Sequence, residues 1–467
     1  MHNWTESHPT QGMLAFLCRN RRPLLWITMG ALALRVVFLL RFPLLTNDSF
    51  VYGDIAKNWL EHGIYGLTAT PTPAPTWIRM PGYPAFLAAV WAIFGKEHYT
   101  AVLILQVLFD LGTCFVIADL ARRVVSERTA IVACILTAFC PFFGNFAAVA
   151  LSETLAIFFA ALTLDLAVWA LDRPEPRRWA ACGAAAACGI LLRPDGGIVL
   201  AVVGLYLLVQ IARATKTDTR RRLLGSALLL AVVALAPLIP WTVRNWRVFH
   251  LFQPLTTVYA SAPDEFVPLG FYQWVRTWIV DYSSVEDIWF KVPGEQVEIS
   301  DLPNRAIDNP EQRQRTQELF AAYNDLLDLT PEIDSRFRQL AQARIRASYS
   351  RYYVWLPLLR ATTLWLRPRT EMLPLDRHWW RWQDDPHDSA WAMLLGLIGL
   401  FYVVTAVMVL RQWTEFHFAG LLIGFALIRT AFLAWMPNPE PRYVLECYPA
   451  LLVFSAATIA AWRRQGT

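Results

Sequence analysis

Charge is what this chain has least of. Asp, Glu, Lys and Arg make up 17 % of its 467 residues, against about 25 % in a soluble domain. With 21 Trp, 27 Phe and a mean hydropathy of +0.35, the shortage points to an integral membrane protein. Cysteine is sparse too. Cys18 lies on the N-terminal tail, and Cys114, Cys134, Cys140, Cys182, Cys188 and Cys447 lie in or beside apolar runs. The long polar stretch 245–389 has none, so neither a disulfide framework nor a metal-ligand spacing is present. No small-residue cleavage site follows the first apolar run. That run is expected to stay as a first span rather than leave as a signal peptide. The net charge of +5 is no nucleic-acid footprint, because the basic residues sit in short loops between apolar runs. No repeat relates the two halves.

What is present is a series of apolar runs near the length of roughly 20 residues that crosses a bilayer. They lie near 24–40, 101–121, 129–146, 152–171, 179–192, 198–211, 223–243, 390–410, 416–435 and 443–462. The fold class expected is all-α: a polytopic transmembrane helical protein of about ten spans. Residues 1–244 form an N-terminal transmembrane catalytic core that includes a first outer loop, 45–99. Residues 245–389 form a helical extracytoplasmic segment, and residues 390–467 the C-terminal transmembrane helices. The fifth and sixth runs are short, and the break Arg193-Pro194-Asp195-Gly196-Gly197 between them leaves room for tilted or partly re-entrant helices.

Positive clusters orient the series. Arg19, Arg21 and Arg22 precede the first run; Arg122, Arg123 and Arg128 follow the second; Arg173, Arg177 and Arg178 follow the fourth. Arg213, Lys216 and Arg220–Arg222 follow the sixth, Arg411 the eighth, and Arg463 and Arg464 the tenth. With alternating spans all fall on one side, the cytoplasmic one, together with both termini. A bacterial inner membrane is the expected location. The opposite side then holds the first loop, the 145–151 turn, the Arg193–Gly197 break, the segment 245–389 and the turn 436–442.

Carboxylates and guanidiniums gather on that outer side. In the first loop, Asn47, Asp48 or Ser49 can cap a surface helix that runs to about His62 and stops at Gly63. Ile55, Trp59 and Leu60 lie near one face of it, as in a helix resting on a bilayer. Asp48, Asp54 and Glu153 are candidate proton acceptors. Arg79, Arg193, Arg244 and Arg442 are candidate phosphate ligands, because the guanidinium fork matches phosphate oxygens. Plainer uses compete. Asp48 and Glu153 can be helix caps, Asp54 can simply face water, and Arg193 and Arg442 can snorkel to lipid headgroups. Residues 310–350 read as helix and 352–366 as an interfacial helix.

Several strings carry a resemblance. Asp48-Ser49-Phe50-Val51-Tyr52-Gly53-Asp54-Ile55-Ala56 in the first loop, Arg79-Met80-Pro81-Gly82-Tyr83-Pro84 after it, and Leu151-Ser152-Glu153-Thr154 follow in order. Pro240-Trp241-Thr242-Val243-Arg244-Asn245 and Pro441-Arg442-Tyr443 complete the set. Together the chain resembles the GT-C superfamily of integral membrane glycosyltransferases, in particular the bacterial relatives of protein O-mannosyltransferases and of lipid A aminoarabinose transferases. The resemblance implies Asp48 as catalytic acid-base residue, with Tyr52 as its companion and Glu153 and Asp54 as further acids. It implies Arg79, Tyr83, Arg193, Arg244, Asn245, Arg442 and Tyr443 around donor and substrate. The mannosyltransferases proper carry two adjacent first-loop acids, whereas Ser49 follows Asp48 here, and their large lumenal domain is not recognisable.

The implied reaction is a single inverting displacement. A polyprenyl-phosphate sugar is the donor, its phosphate on Arg79 and Arg244, its tail among the spans and membrane lipids. Asp48 takes the proton of a lipid, glycan or protein acceptor that Glu153 orients. No cofactor is required, although Asp48 with Glu153 could hold a divalent cation. The main alternative is a flippase of lipid-linked sugars, favoured by the Arg193–Gly197 break alone. A ligase using a diphosphate carrier would need more outer cations.

Overall fold

The computed structural model describes residues 12–257, 259–262, 265–376 and 378–465. Residues 1–11 and the side chains of Arg463 and Arg464 lie outside that set. The fold is almost entirely helical. Its two strands, Gly66–Leu67 and Ala74–Pro75, form a two-residue antiparallel ribbon in which Gly66 faces Pro75.

Among the described residues six helices are long and apolar enough to cross a membrane: Arg21–Arg41, Tyr99–Val124, Glu153–Asp172, Pro194–Arg213, Pro386–Val409 and Pro441–Trp462. The number rises to eight if two bent pairs each count as one span. These are Glu127–Ala138 with Pro141–Ala147, bent by 53°, and Thr217–Leu235 with Leu238–Phe249, bent by 44°. The other two apolar runs form 17-residue helices, Pro176–Leu192 and Ala419–Trp435. At a rise of about 1.5 Å per residue each is roughly 26 Å long. The break at Arg193–Gly197 is a single 3-10 turn, Pro194–Gly196, and the next helix continues from it.

The first bend has an identifiable cause. The helix Glu127–Ala138 ends before Pro141, which has no N–H to carry the ladder onward. Its terminal carbonyls are taken up by Arg35 from the first span. Arg35 donates to the carbonyls of Ala138 and, at 3.2 Å, of Thr137, while its Nε lies 2.6 Å from Asp110 Oδ2. Both partners of this ion pair are buried. A charge within a span needs such a partner, and here the partner also secures a helix end.

The first loop is folded onto the protein. The helix Asn47–His62 begins in a capping box: Thr46 Oγ1 accepts from Ser49 N, and Ser49 Oγ accepts from Thr46 N. Gly63 ends it at φ +66°. Thr46, rather than Asn47, Asp48 or Ser49, is therefore the cap, and the Asp48 side chain is left for other work. Ile55 is buried with Tyr65, Trp77, Met80 and Trp241, whereas Trp59 and Leu60 stay half exposed. The apolar face expected to lie on lipid is thus partly covered by protein.

The segment 245–389 has a second apolar core, with Trp274, Trp278, Phe320, Tyr323 and Phe337 at its centre. It includes faces of the helices Pro310–Leu326 and Pro331–Ala347. Arg360 fastens the segment to the spans, donating to Ile279 O at 2.8 Å and to Ala434 O at 3.3 Å.

Replacing Arg35 with Met leaves Asp110 buried without its partner and two helix-end carbonyls open. The expected loss is about 3–5 kcal/mol, read as thermal unfolding of detergent-purified protein. Arg35→Met combined with Asp110→Leu should recover part of that loss.

Candidate active site

Three neutral contacts bring distant segments to one place. Leu44, just before the first-loop helix, forms a parallel bridge to Val149; its N–H donates to Ala148 O at 3.1 Å and its carbonyl accepts from Ala150 N at 3.2 Å. This sets the start of the Asp48 helix beside the start of the Glu153 helix. Gln106, buried in the second long span, donates to Val149 O at 2.7 Å and accepts from Tyr83 Oη at 2.7 Å. The turn 147–149 and the start of the Gly82–Phe94 helix thereby share an anchor. Gly82 presses on the chain at Leu191 and Leu192, where an added Cβ would fall 2.6 Å from the Leu191 carbonyl. Arg79 and Arg193 stand just beyond that contact, Arg79 before the helix Gly82–Phe94 and Arg193 at the end of Pro176–Leu192.

The charged side chains then meet. Arg79 Nη2 lies 2.6 Å from Asp48 Oδ1, and Arg442 Nη2 lies 3.8 Å from Asp48 Oδ2. Arg442 also reaches Glu153 Oε1 at 3.5 Å and Glu440 Oε2 at 2.6 Å. Arg193 Nη1 lies 3.1 Å from the same Glu153 oxygen, and its Nε lies 3.1 Å from Asp195 Oδ1. Behind these, Arg429 bridges Asp195 Oδ2 at 2.8 Å and Glu446 Oε1 at 2.7 Å. Tyr443 sits within the lattice, its ring under Arg193 at 4.6 Å and its hydroxyl donating to Glu440 Oε1 at 3.0 Å.

Exposure separates the members. Arg429 is fully enclosed and the side chain of Glu153 only 6 % exposed, but that of Asp48 is 36 % exposed. Glu153 keeps one buried oxygen, Oε2, with no hydrogen-bond partner in the protein. Burial pushes the Asp48 carboxyl up, yet the guanidiniums of Arg79, Arg442 and Arg193 prevail and hold it below the usual carboxylate value. Tyr52 stands under Arg79, 5.6 Å from Cζ to ring centroid, and meets the Tyr83 ring edge-on at 4.9 Å. Burial pushes its phenol up.

Residues 75–241, about a third of the chain, match the model of the dolichyl-phosphate-mannose-protein mannosyltransferase family. No curated protein sequence matches the chain. Among solved structures it is similar to the oligosaccharyltransferase AglB of Archaeoglobus fulgidus in complex with an inhibitory peptide and a dolichol-phosphate. That match has a TM-score of 0.52 and 14 % identity, over 95 % of this chain and 50 % of that one. The apo form of the same archaeal enzyme gives the same values. ArnT of Cupriavidus metallidurans bound to undecaprenyl phosphate matches at a TM-score of 0.41 and 14 % identity, over 93 % of this chain and 76 % of that one. This chain has a GT-C fold. It is an integral membrane protein of about half the length of the archaeal oligosaccharyltransferase.

Within this GT-C fold the expected residues divide into two sets. Asp48, Tyr52, Arg79, Tyr83, Glu153, Arg193, Arg442 and Tyr443 belong to one connected neighbourhood. Arg244, Asn245 and Asp54 hold loops instead. Arg244 donates to Thr76 O at 2.7 Å and to Tyr65 O at 2.5 Å, packs against the rings of Tyr65, Trp241 and Phe249, and has no ion pair among the described residues. Tyr65 stands between it and Arg79, its own hydroxyl donating to Arg79 O. Asn245 binds Arg244 and the Gln253 carbonyl. Asp54 accepts from both the amide and the hydroxyl of Thr68. The expected meeting of Asp48, Arg79 and Arg244 is thus replaced by Asp48, Arg79 and Arg442.

A divalent cation between Asp48 and Glu153 does not fit this donor set, because Arg442 occupies the space between the two carboxylates. Among the described residues no group of three or more His, Cys, Asp or Glu side chains is arranged to hold a metal ion.

The exposure contrast predicts unequal stability effects. Arg429→Met strands Asp195 and Glu446 and should cost on the order of 3 kcal/mol. Asp48→Asn should change stability by less than about 1 kcal/mol. Thermal unfolding of the two purified variants tests the contrast.

Proposed function

We propose that the chain is a membrane glycosyltransferase that moves a sugar from a polyprenyl-monophosphate carrier to an acceptor on the extracytoplasmic face of a bacterial inner membrane. The observation that carries this reading is the placement of Asp48. It is the most open carboxylate of the lattice, held between two guanidiniums and beside a second acid with an uncommitted oxygen. The GT-C fold supports it.

The chemistry follows from those contacts. A donor phosphate entering the rim competes with Asp48 for Arg79 and Arg442, since a guanidinium fork binds phosphate oxygens in pairs. Losing those partners, the Asp48 carboxylate becomes more basic as the site fills. It can then take the proton of an acceptor hydroxyl attacking the anomeric carbon from the face opposite the phosphate. The C–O bond to phosphate breaks, the electron pair leaves with the phosphate, and the two arginines stabilise its charge. Glu153 Oε2 accepts a hydrogen bond from the incoming sugar or acceptor. Arg193, Asp195, Arg429 and Glu446 keep Glu153 and Arg442 in position.

The break that favours the flippase reading has another use: Asp195 is paired with Arg193 and Arg429 in the same lattice.

Purified protein given radiolabelled undecaprenyl-phosphate sugars and a membrane-lipid extract should transfer label. Asp48→Asn should slow turnover by about 10²–10⁴-fold while still binding donor. Full turnover in that variant, or passage of labelled lipid across liposomes with no donor consumed, would sink the reading. EDTA should leave the rate unchanged.

A pH test is independent of these. Asp48 is ionised in the resting protein through the neutral range, and it is protonated only below the usual carboxylate value near 4. Removing a cation raises the pKa of a neighbouring carboxylate. Arg79→Gln should therefore move the acid limb of the kcat/KM profile for the donor to higher pH.

A further inference from the structure

A cavity of about 570 Å³ opens in the segment 245–389, within the ~300–1,000 Å³ span of small-molecule sites. Its walls come from residues 281–305 on one side and 362–381 on the other. Three carboxylates line it, Asp281, Asp287 and Asp301, and so do three guanidiniums, Arg305, Arg367 and Arg381. The carboxylates are already paired. Asp281 binds Arg305, which also donates to Ser284 Oγ at 2.8 Å. Asp287 Oδ2 lies 3.3 Å from His378 Nε2, and Asp301 Oδ2 lies 3.4 Å from Lys291 Nζ. Held in this way, the charges act as fixed donors and acceptors with little net field. Serine and threonine hydroxyls, the apolar Leu302, Pro303, Leu366 and Pro368, and the side chains of Trp379 and Trp380 complete the lining. Trp380 is 52 % exposed, and the buried indole N–H of Trp379 has no acceptor within the protein.

The lining discriminates among ligands. An anion would meet as many carboxylates as cations. An acyl chain would have to cover ion pairs. A neutral polyol matches both features, because each hydroxyl can donate and accept and the C–H faces of its rings can lie on indole surfaces. We propose that this cavity binds a saccharide, with Trp379 and Trp380 as its aromatic walls and Asp287 as a fixed hydroxyl acceptor.

Its location gives the site a use. Arg367 lines the cavity and packs 5.1 Å from the centre of the Tyr282 ring. Burial, together with Glu440, Glu286 and Glu371, pushes the Tyr282 phenol up, and Arg442 acts on it in the opposite sense. Tyr282 therefore lies within electrostatic reach of Glu440 and Arg442. A saccharide bound in the cavity is a candidate acceptor. Calling it an acceptor rests on the transferase reading, whereas binding does not. A competing use exists for the tryptophans. Trp380, Arg381 and Trp382 shortly precede the helix Pro386–Val409 and could anchor it at the lipid interface.

The experiment uses full-length protein in a detergent without a sugar headgroup. The probes are maltotriose, mannotriose and chitotriose, followed by saturation-transfer NMR. At least one should bind saturably. Trp380→Ala and Asp287→Asn should weaken that binding at least tenfold without altering undecaprenyl-phosphate binding, and Trp380→Phe should restore most of it. Asp48→Asn should bind saccharide as the unaltered protein does, so loss of transfer and loss of this site give different signatures. Absence of binding by all three probes overturns the proposal. So does unchanged binding in both Trp380→Ala and Asp287→Asn, including the case where Trp380→Ala alters only membrane insertion.

Discussion

Arg442 is the charge on which the rim of this protein depends. It stands 3.8 Å from Asp48 and 3.5 Å from Glu153, two acids on helices that start side by side. Without a cation between them they would repel across a poorly hydrated gap, and one would have to take a proton. A buried guanidinium is itself costly, by several kcal/mol for the desolvation alone. Glu440, at 2.6 Å, and the Tyr443 ring beneath it offset that cost. Lysine could not replace it, because one ammonium cannot present separate N–H edges to carboxylates in different directions.

The lattice grades from structural to reactive along its length. At the closed end, Arg429 serves Asp195 and Glu446 and touches no solvent. At the open end, Asp48 is accessible while its depressed pKa keeps it charged. Arg360 ties the segment 245–389 to the spans.

Much of this was legible in the residues. Long apolar runs exposed the helices. Acids and guanidiniums at outer span ends exposed Asp48, Arg79, Glu153, Arg193 and Arg442. Arg244 and Asp54 were read too generously, because a guanidinium or carboxylate at a span end looks the same in sequence whether it meets an anion or a backbone amide or carbonyl. Thr46 was passed over as a cap because Asn47, Asp48 and Ser49 have equal claims by type. Arg429, Asp195 and Glu446 were missed although a signal existed. Arg429 interrupts the apolar run 416–435, and a lone charge in such a run calls for a partner. The run was read for its length instead. Arg35 and Asp110 carry the same lesson. The cavity at 281–305 and 362–381 had no signal, since its two walls are far apart along the chain and neither has a recognisable pattern.

The glycine at position 82 has one more consequence. Because the chain there abuts the Leu191 carbonyl with no side chain intervening, the gap between the segments carrying Arg79 and Arg193 is fixed by steric touch. Ionic strength or acidity can loosen the pairs those arginines make, but neither can move the posts they stand on. The spacing of the rim is therefore set by backbone contact before any charge is neutralised.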